Sequence, residues 1–286
     1  MMCRMVVLFR FFVAVFALTL GSAATATTFE ERVLKFESRG VLLEGTLVLP
    51  TSIEPTAAVV FVHGSGRQPR SLPLARAFAQ AGIAAFVYDK RGVGESAGRF
   101  EGDQPVSESN LDLLAADARA ALQVLVDAPS LNDIPRGFTG LSQAGWIVPL
   151  AAKDSKADFL LLWSGPVCKI SEEDIFSKYT RNSDAARIPS YDEALAAQTS
   201  AYVWPTFLGR DTDSAADLAT LGIPGLWIFG ENDGSVPVDL SIRKLRKLQD
   251  DGHNYQYVLF SGIGHNNVGA TFDTAVAWIR SIATEE

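Results

Sequence analysis

The sequence predicts an α/β protein: a mostly parallel, twisted, eight-stranded sheet with helices on both faces and a helical cap insertion. Three observations predict it. Short, continuous apolar runs such as Ala57–Val62, Ile83–Tyr88 and Phe159–Trp163 read as strands buried on both faces. Segments with helical spacing alternate with them, as parallel crossover connections require. The chain of 286 residues is 48% hydrophobic and 20% charged, a globular composition long enough to bury a large core.

Taken in order, Val33 to Pro50 reads as a hairpin broken at Arg39-Gly40, with Leu34 and Phe36 alternating with Lys35 and Glu37. Ala57–Val62 is the next strand, Ser71–Ala81 a helix and Ile83–Tyr88 a strand. Leu111–Val126 carries apolar residues at Leu111, Leu114, Ala118, Ala121, Leu122 and Leu125, the spacing of an amphipathic helix. Gly137–Leu141 is a short strand, Ala144–Ala152 a helix and Phe159–Trp163 a strand. The rhythm stops from Ser164 to Leu221, too long for a plain loop. That stretch, about 165–222, is expected to be a helical insertion over the C-terminal edge of the sheet. Leu226–Phe229, Val238–Leu248, Tyr255–Phe260 and Thr271–Ile282 then read as strand, helix, strand and helix.

Arg4 and Arg10, the apolar run Phe11–Leu20 and the small residues Ala24-Thr25-Ala26 have the pattern of a secretory signal peptide over residues 1–26. The apolar run falls short of the roughly 20 residues a bilayer span needs. Residues 27–286 are therefore expected to form a single domain, exported to the periplasm or the exterior, without stable membrane insertion. Without Arg4 and Arg10 the balance becomes 23 basic against 33 acidic residues, net −10. Such a chain, lacking a basic stripe, is a poor nucleic-acid binder. Cys3 precedes the apolar run, so it is not placed for lipidation. Cys168 is then the sole cysteine and is read as a small buried hydrophobe.

The chemistry centres on Gly140-Leu141-Ser142-Gln143-Ala144-Gly145. A strand enters, a helix leaves, and small residues flank the serine. A sharp turn of that kind pushes Ser142 outward and sets the Gln143 N–H at a helix N-terminus, facing a developing oxyanion. The alternative is an N-cap serine on an ordinary helix. Two later loops favour the first reading. Asp233 follows the strand Leu226–Phe229, and His265 follows Tyr255–Phe260. A serine hydroxyl needs a base that works near neutrality, and the imidazole needs an anion to fix its tautomer. The chain order Ser142, Asp233, His265 is the one that accompanies this turn.

With Val62-His63-Gly64-Ser65-Gly66 and Tyr88-Asp89-Lys90-Arg91-Gly92-Val93-Gly94-Glu95-Ser96, these motifs resemble the α/β-hydrolase superfamily from about Val33 to the C-terminus. The nearest resemblance is to bacterial serine carboxylesterases and serine-aminopeptidase-like hydrolases. Ala144 stands where the usual pattern has glycine, but a small residue is still supplied. The resemblance implies a structural His63 and a second oxyanion donor in the Ser65 N–H, next to glycines that let backbone approach a substrate. It implies a structural loop at Asp89–Ser96, whose charges are expected to pair locally. It also implies hydrolysis of a small-molecule carboxylic ester through an acyl-enzyme, with no metal or organic cofactor. A serine peptidase of the aminopeptidase type would need carboxylates in the insertion to hold an α-amine. Glu172, Glu173 and Asp174 lie there. A thioesterase on the same three residues is a smaller possibility.

Other residues have plainer readings. His253 is expected to be solvent-exposed. Arg243, Lys244, Arg246 and Lys247 are expected to form a solvated helix face. Tyr179, Tyr191, Tyr202, Trp204 and Phe207 could line an apolar acyl pocket or form the insertion's own core, and the second reading is favoured for most of them.

Overall fold

The computed structural model describes residues 28–284. The expected signal segment 1–26 and Cys3 lie outside the described residues. Strands β1 (Phe29–Ser38) and β2 (Val41–Pro50) form the hairpin, turning at Arg39 and Gly40, both at positive φ. There follow β3 (Ala57–Val62), α1 (Leu72–Gln80), β4 (Ile83–Tyr88), α2 (Glu108–Val126), β5 (Arg136–Leu141), α3 (Ala144–Ala152) and β6 (Phe159–Trp163). The segment before β7 holds α4 (Ile170–Thr180), α5 (Tyr191–Ala196) and α6 (Ser214–Leu218). Then come β7 (Gly225–Gly230), α7 (Val238–Asp250), β8 (Tyr255–Phe260) and α8 (Val268–Ile282).

One eight-stranded sheet runs β1-β2-β4-β3-β5-β6-β7-β8. β2 is antiparallel to both β1 and β4, and the other neighbours are parallel. Period-2 alternation sends successive residues to two cores. Ala58, Val60 and Val62 of β3 join the core under α2, α3 and α7, while Ala57 and Val59 join the one under α1 and α8. Leu160 and Leu162 of β6 divide from Phe159, Leu161 and Trp163 in the same way. Burial on both faces is what makes these strands continuous apolar runs.

Three elements extend beyond the sequence reading by three residues or more. β1 begins at Phe29, because its outer residues Glu30–Arg32 pair with β2 while facing solvent, and an edge strand needs no apolar alternation. α2 begins at Glu108, with the Ser107 hydroxyl accepting from Asn110 N at 3.4 Å. α8 gains a turn from Val268. Among the described residues no helix is long and apolar enough to cross a membrane.

The aromatics between β6 and β7 do not share one role. Tyr191 is buried in a small cluster with Cys168, Ile175, Phe176, Ala194 and Leu240, and Tyr202 packs against it. Trp204 packs on the main core, whereas Tyr179 and Phe207 are exposed.

The loop after β4 corrects a second expectation, because its charges reach across the fold rather than pairing locally. Arg70 joins Glu44 and Asp89 at 2.5 and 2.7 Å. Arg91 donates from Nε to Asp117 Oδ2 at 3.0 Å, pairs a second time with Asp117 Oδ1 through Nη2, and donates from Nη2 to Ser38 O at 3.1 Å. Asp117 lies on α2 and is fully buried, so this pair fastens the loop to a helix and to the β1 edge. Removing one partner strands the other charge in the core. Asp117→Ala should therefore lose about 3–5 kcal/mol in urea unfolding, and replacing both Arg91 and Asp117 by apolar residues should recover much of it.

Candidate active site

Ser142 stands between β5 and α3 at φ +58°, a conformation rare for a residue with a side chain. The turn is held by Ser142 N donating to Trp163 O at 3.0 Å and Gly145 N donating to Ser142 O at 2.8 Å. A Cβ on Gly140 would stand 2.9 Å from Val62 O, and one on Gly145 2.6 Å from Pro166 N. Neighbouring backbones thus close on the turn from both sides, which is why its flanks are small. Ser142 remains partly exposed at the head of α3.

The loop after β3 runs beside it. A Cβ on Gly64 would lie 3.0 Å from Leu141 O and 3.4 Å from Ser142 Cβ. Gln143 directly precedes α3 and is buried. Neither the Gln143 nor the Ser65 N–H donates to a protein acceptor among the described residues. His63 is buried edge-on to Tyr88, with ring centroids 4.8 Å apart. Burial first, and then the Lys90 charge, push its pKa down to about 3, so the ring is a neutral strut.

Asp233 follows β7 and is fully buried. Its Oδ1 accepts from Ser235 N at 2.8 Å and Val236 N at 2.9 Å. His265 follows β8, and its Nδ1 stands 3.0 and 2.9 Å from the two Asp233 oxygens. Burial pushes the imidazole pKa down. The hydrogen bond and charge of Asp233, joined by Asp184 and Glu173, outweigh it and raise the pKa above its ordinary 6.5. Buried polar contacts fix the His265 backbone as well. Ser164 Oγ donates to His265 O at 2.9 Å, and Asn267 Nδ2 donates to Ser164 Oγ at 3.3 Å and Ile228 O at 3.2 Å.

Asp184 was not singled out by the sequence. One of its oxygens accepts from Gly234 N and the other from His265 N, each at 3.0 Å. One carboxylate from the segment between β6 and β7 therefore clamps the loops after β7 and β8. Arg181 and Asn182, both at positive φ, turn the chain from α4 toward this clamp.

Ser142 and His265 line one cavity of about 270 Å³ with Ser65, Trp146, Glu173 and Asn182. No direct hydrogen bond joins Ser142 to His265, a gap common before substrate binds. Glu173, on α4, is the one of the three insertion carboxylates that lines this cavity. Burial and the Asp174 charge push its carboxyl up to about 7, against the Ser177 hydrogen bond and His265. Of the insertion's aromatics, none lines the cavity; Trp146 of α3 does. A larger cleft of about 530 Å³ beside α7 offers neither nucleophile nor base in this arrangement.

The remaining singled-out residues lie elsewhere. Cys168 is buried, and desolvation pushes its thiol well up, so it is a poor nucleophile. His253 is half-buried, stacked on Tyr255 with Nδ1 3.1 Å from Leu221 O, rather than free in solvent. Arg243, Lys244, Arg246 and Lys247 are each engaged, by Asp192 and Asp239, Glu172, Tyr257 and Asp251 respectively.

A family model described as serine aminopeptidase, S33, matches residues 53–182, which include Ser65 and Ser142 but stop short of Asp233 and His265. Polyketide transferase claH of Penicillium crustosum is 33% identical over 96 residues, 34% of this chain and 30% of that protein. Among solved structures, the Pyrococcus furiosus esterase Pf2001 superposes with a TM-score of 0.63 at 15% identity, covering 90% of this chain and 93% of that one. The Pyrococcus horikoshii acylaminoacyl peptidase gives 0.61 at 19% identity, covering 85% of this chain but only 38% of the other. With the observed sheet order and the strand–turn–helix at Ser142, these likenesses show an α/β-hydrolase fold, with similarity to the serine aminopeptidase family over residues 53–182.

Proposed function

We propose that the protein is a serine hydrolase that cleaves small carboxylic esters through an acyl-enzyme. One observation carries the reading: a left-handed serine at a strand–helix turn shares a small cavity with an imidazole already bonded to a buried carboxylate. In the proposed mechanism Ser142 Oγ attacks the ester carbonyl while His265 Nε2 takes its proton. His265 then protonates the departing alkoxide, and Asp233 holds the tautomer and stabilises the imidazolium. The Ser65 and Gln143 N–H groups receive the oxyanion. Water, activated by the same imidazole, releases the acid and restores Ser142. An alkoxide leaves more readily than an amine, and a cavity near the lower end of ligand-pocket volumes favours a short acyl group.

A second reading draws support from Glu173. A carboxylate lining the cavity would hold a substrate ammonium near the scissile bond, as an aminopeptidase-type or aminoacyl-ester hydrolase requires. Thioester cleavage has no observation of its own in its favour.

Four outcomes are expected. The protein should hydrolyse p-nitrophenyl acetate and butyrate faster than longer-chain esters. Ser142→Ala should lose at least about 10³-fold in kcat, and near wild-type turnover in that variant would remove Ser142 from its role. Only neutral His265 accepts the proton, and its pKa is raised. kcat/KM should therefore fall as pH drops through a value above 6.5, and Asp233→Asn should lower both that limb and the rate. Glu173→Gln distinguishes the two substrate readings. Under the ester reading it should leave neutral p-nitrophenyl esters within about threefold, and a selective loss on aminoacyl esters or anilides of more than about tenfold would establish the amine-binding one.

A further inference from the structure

Lys90 follows β4 and is 4% exposed, yet among the described residues it forms no ion pair; its neighbour Asp89 is held by Arg70. Its Nζ donates to Gly64 O at 2.8 Å and to Gln143 Oε1 at 3.2 Å, and stands 5.8 Å from the centroid of the Phe100 ring. The first acceptor is the carbonyl of the peptide that carries the Ser65 N–H, and the second is the side chain of Gln143, the two residues whose N–H groups are assigned above to the oxyanion.

We propose that Lys90 is a positioning residue for the oxyanion site, its ammonium polarising the Gly64–Ser65 peptide so that the Ser65 N–H is fixed and strengthened, and anchoring the Gln143 side chain so that the Gln143 N–H is fixed. The inference rests on the reading of Ser65 and Gln143 as oxyanion donors. Gly64 C=O and Ser65 N–H are opposite ends of one planar trans peptide. A cation bonded to the carbonyl draws electron density toward that end and leaves the N–H more positive, the cooperative strengthening expected of linked hydrogen bonds in a low dielectric. Lys90 also braces Ser65 from its other side. Its backbone N–H donates to Gln68 O at 3.2 Å, and Gln68 Nε2 donates to Ser65 O at 2.7 Å. On the Gln143 side, the side-chain amide is pinned at both ends, by Lys90 at Oε1 and by donating to Pro105 O at 2.8 Å.

The energetics give the arrangement a catalytic sense. A buried ammonium without a counter-charge is costly in the resting protein. Burial pushes its pKa down to about 8, which still leaves it mostly protonated at neutral pH. Among the described residues no anion is paired with the ammonium at rest, and charge develops at the oxyanion site only when the carbonyl becomes tetrahedral, so the favourable interaction belongs to the transition state rather than to bound substrate. A purely structural tie between the two loops would instead need a donor, charged or not.

Lys90→Met and Lys90→Gln, assayed on p-nitrophenyl butyrate, separate these roles. Both should lower kcat by about 10- to 100-fold, less than loss of a direct oxyanion donor, with KM within about threefold. The carbonyl stretch of a stable acyl-enzyme, read by infrared difference spectroscopy, should move to higher wavenumber in both. Recovery of wild-type kcat by Lys90→Gln, or an unchanged stretch, overturns the proposal. If Lys90→Met fails to fold, Lys90→Gln, which keeps a donor, decides by the same two readouts. Endpoint labelling with a fluorophosphonate, with Ser142→Ala as the unlabelled control, tests the underlying reading separately. A wild-type protein that is not labelled overturns that reading and this proposal together. Labelled Lys90 variants with unchanged kcat overturn only the role of Lys90.

Discussion

Close approach of backbone to backbone around the β5–α3 turn is the constraint on which the rest of the site depends. The loop after β3 touches the turn through Gly64, the segment after β6 touches it through Pro166 against Gly145, and β3 itself lies against Gly140. A side chain at Gly140 or Gly145 would force neighbouring backbone away, and one at Gly64 would press on Leu141 O. With the glycines present, the ends of three adjacent parallel strands converge on Ser142, and its left-handed backbone is held by contacts on every side. Strain of that kind survives only where the surroundings over-determine it.

Charge is used in two different ways around this crowded centre. Arg91 with Asp117, and Arg70 with Glu44 and Asp89, are compensated pairs that tie the loop after β4 to α2 and to the hairpin. Lys90, between them in sequence, is directed instead at carbonyl oxygens behind the site. Adjacent residues of one loop thus serve anchorage and local electric field separately. On the opposite side, Asp233, Asp184 and Glu173 surround His265 with carboxyl groups, so that an imidazolium is stabilised there relative to one in water. The site is positive where an oxyanion would form and negative where a proton would be taken up, which is the polarity the proposed chemistry requires.

Much of this could be read from the sequence, for reasons specific to each element. Ala57–Val62, Ile83–Tyr88 and Phe159–Trp163 are legible because two buried faces leave no room for polar residues. The serine turn and the Asp233 and His265 loops are legible because close approach and chain order constrain residue type locally. The outer end of β1 is not, since a solvent-facing edge strand can be composed of Glu30, Glu31 and Arg32. Nor were the partners of Arg91 and Lys90, which lie 26 and 53 residues away and are selected by tertiary packing, so their loop reads as a local cluster of charge. Asp184 was not legible for a related reason, nor was which of Glu172, Glu173 and Asp174 lines the cavity. Asp184 lies between helices, where no periodicity tells an inward carboxylate from a solvated one, three consecutive carboxylates on α4 look alike until the helix is packed, and the aromatics of the same segment do not line the cavity.

The double attachment of Asp184 bears on how this scaffold can be re-engineered or diversified. The segment between β6 and β7 would ordinarily be the natural cassette to exchange when altering substrate preference, since it is an excursion from the sheet. Here that excursion supplies the carboxylate that ties Gly234 to His265. Replacing it wholesale would also remove a fastening of the His265 loop. A grafted segment would have to restore an acidic side chain at the same point in space before its new lining could be judged on its merits. The region is therefore modular in sequence but not in mechanics.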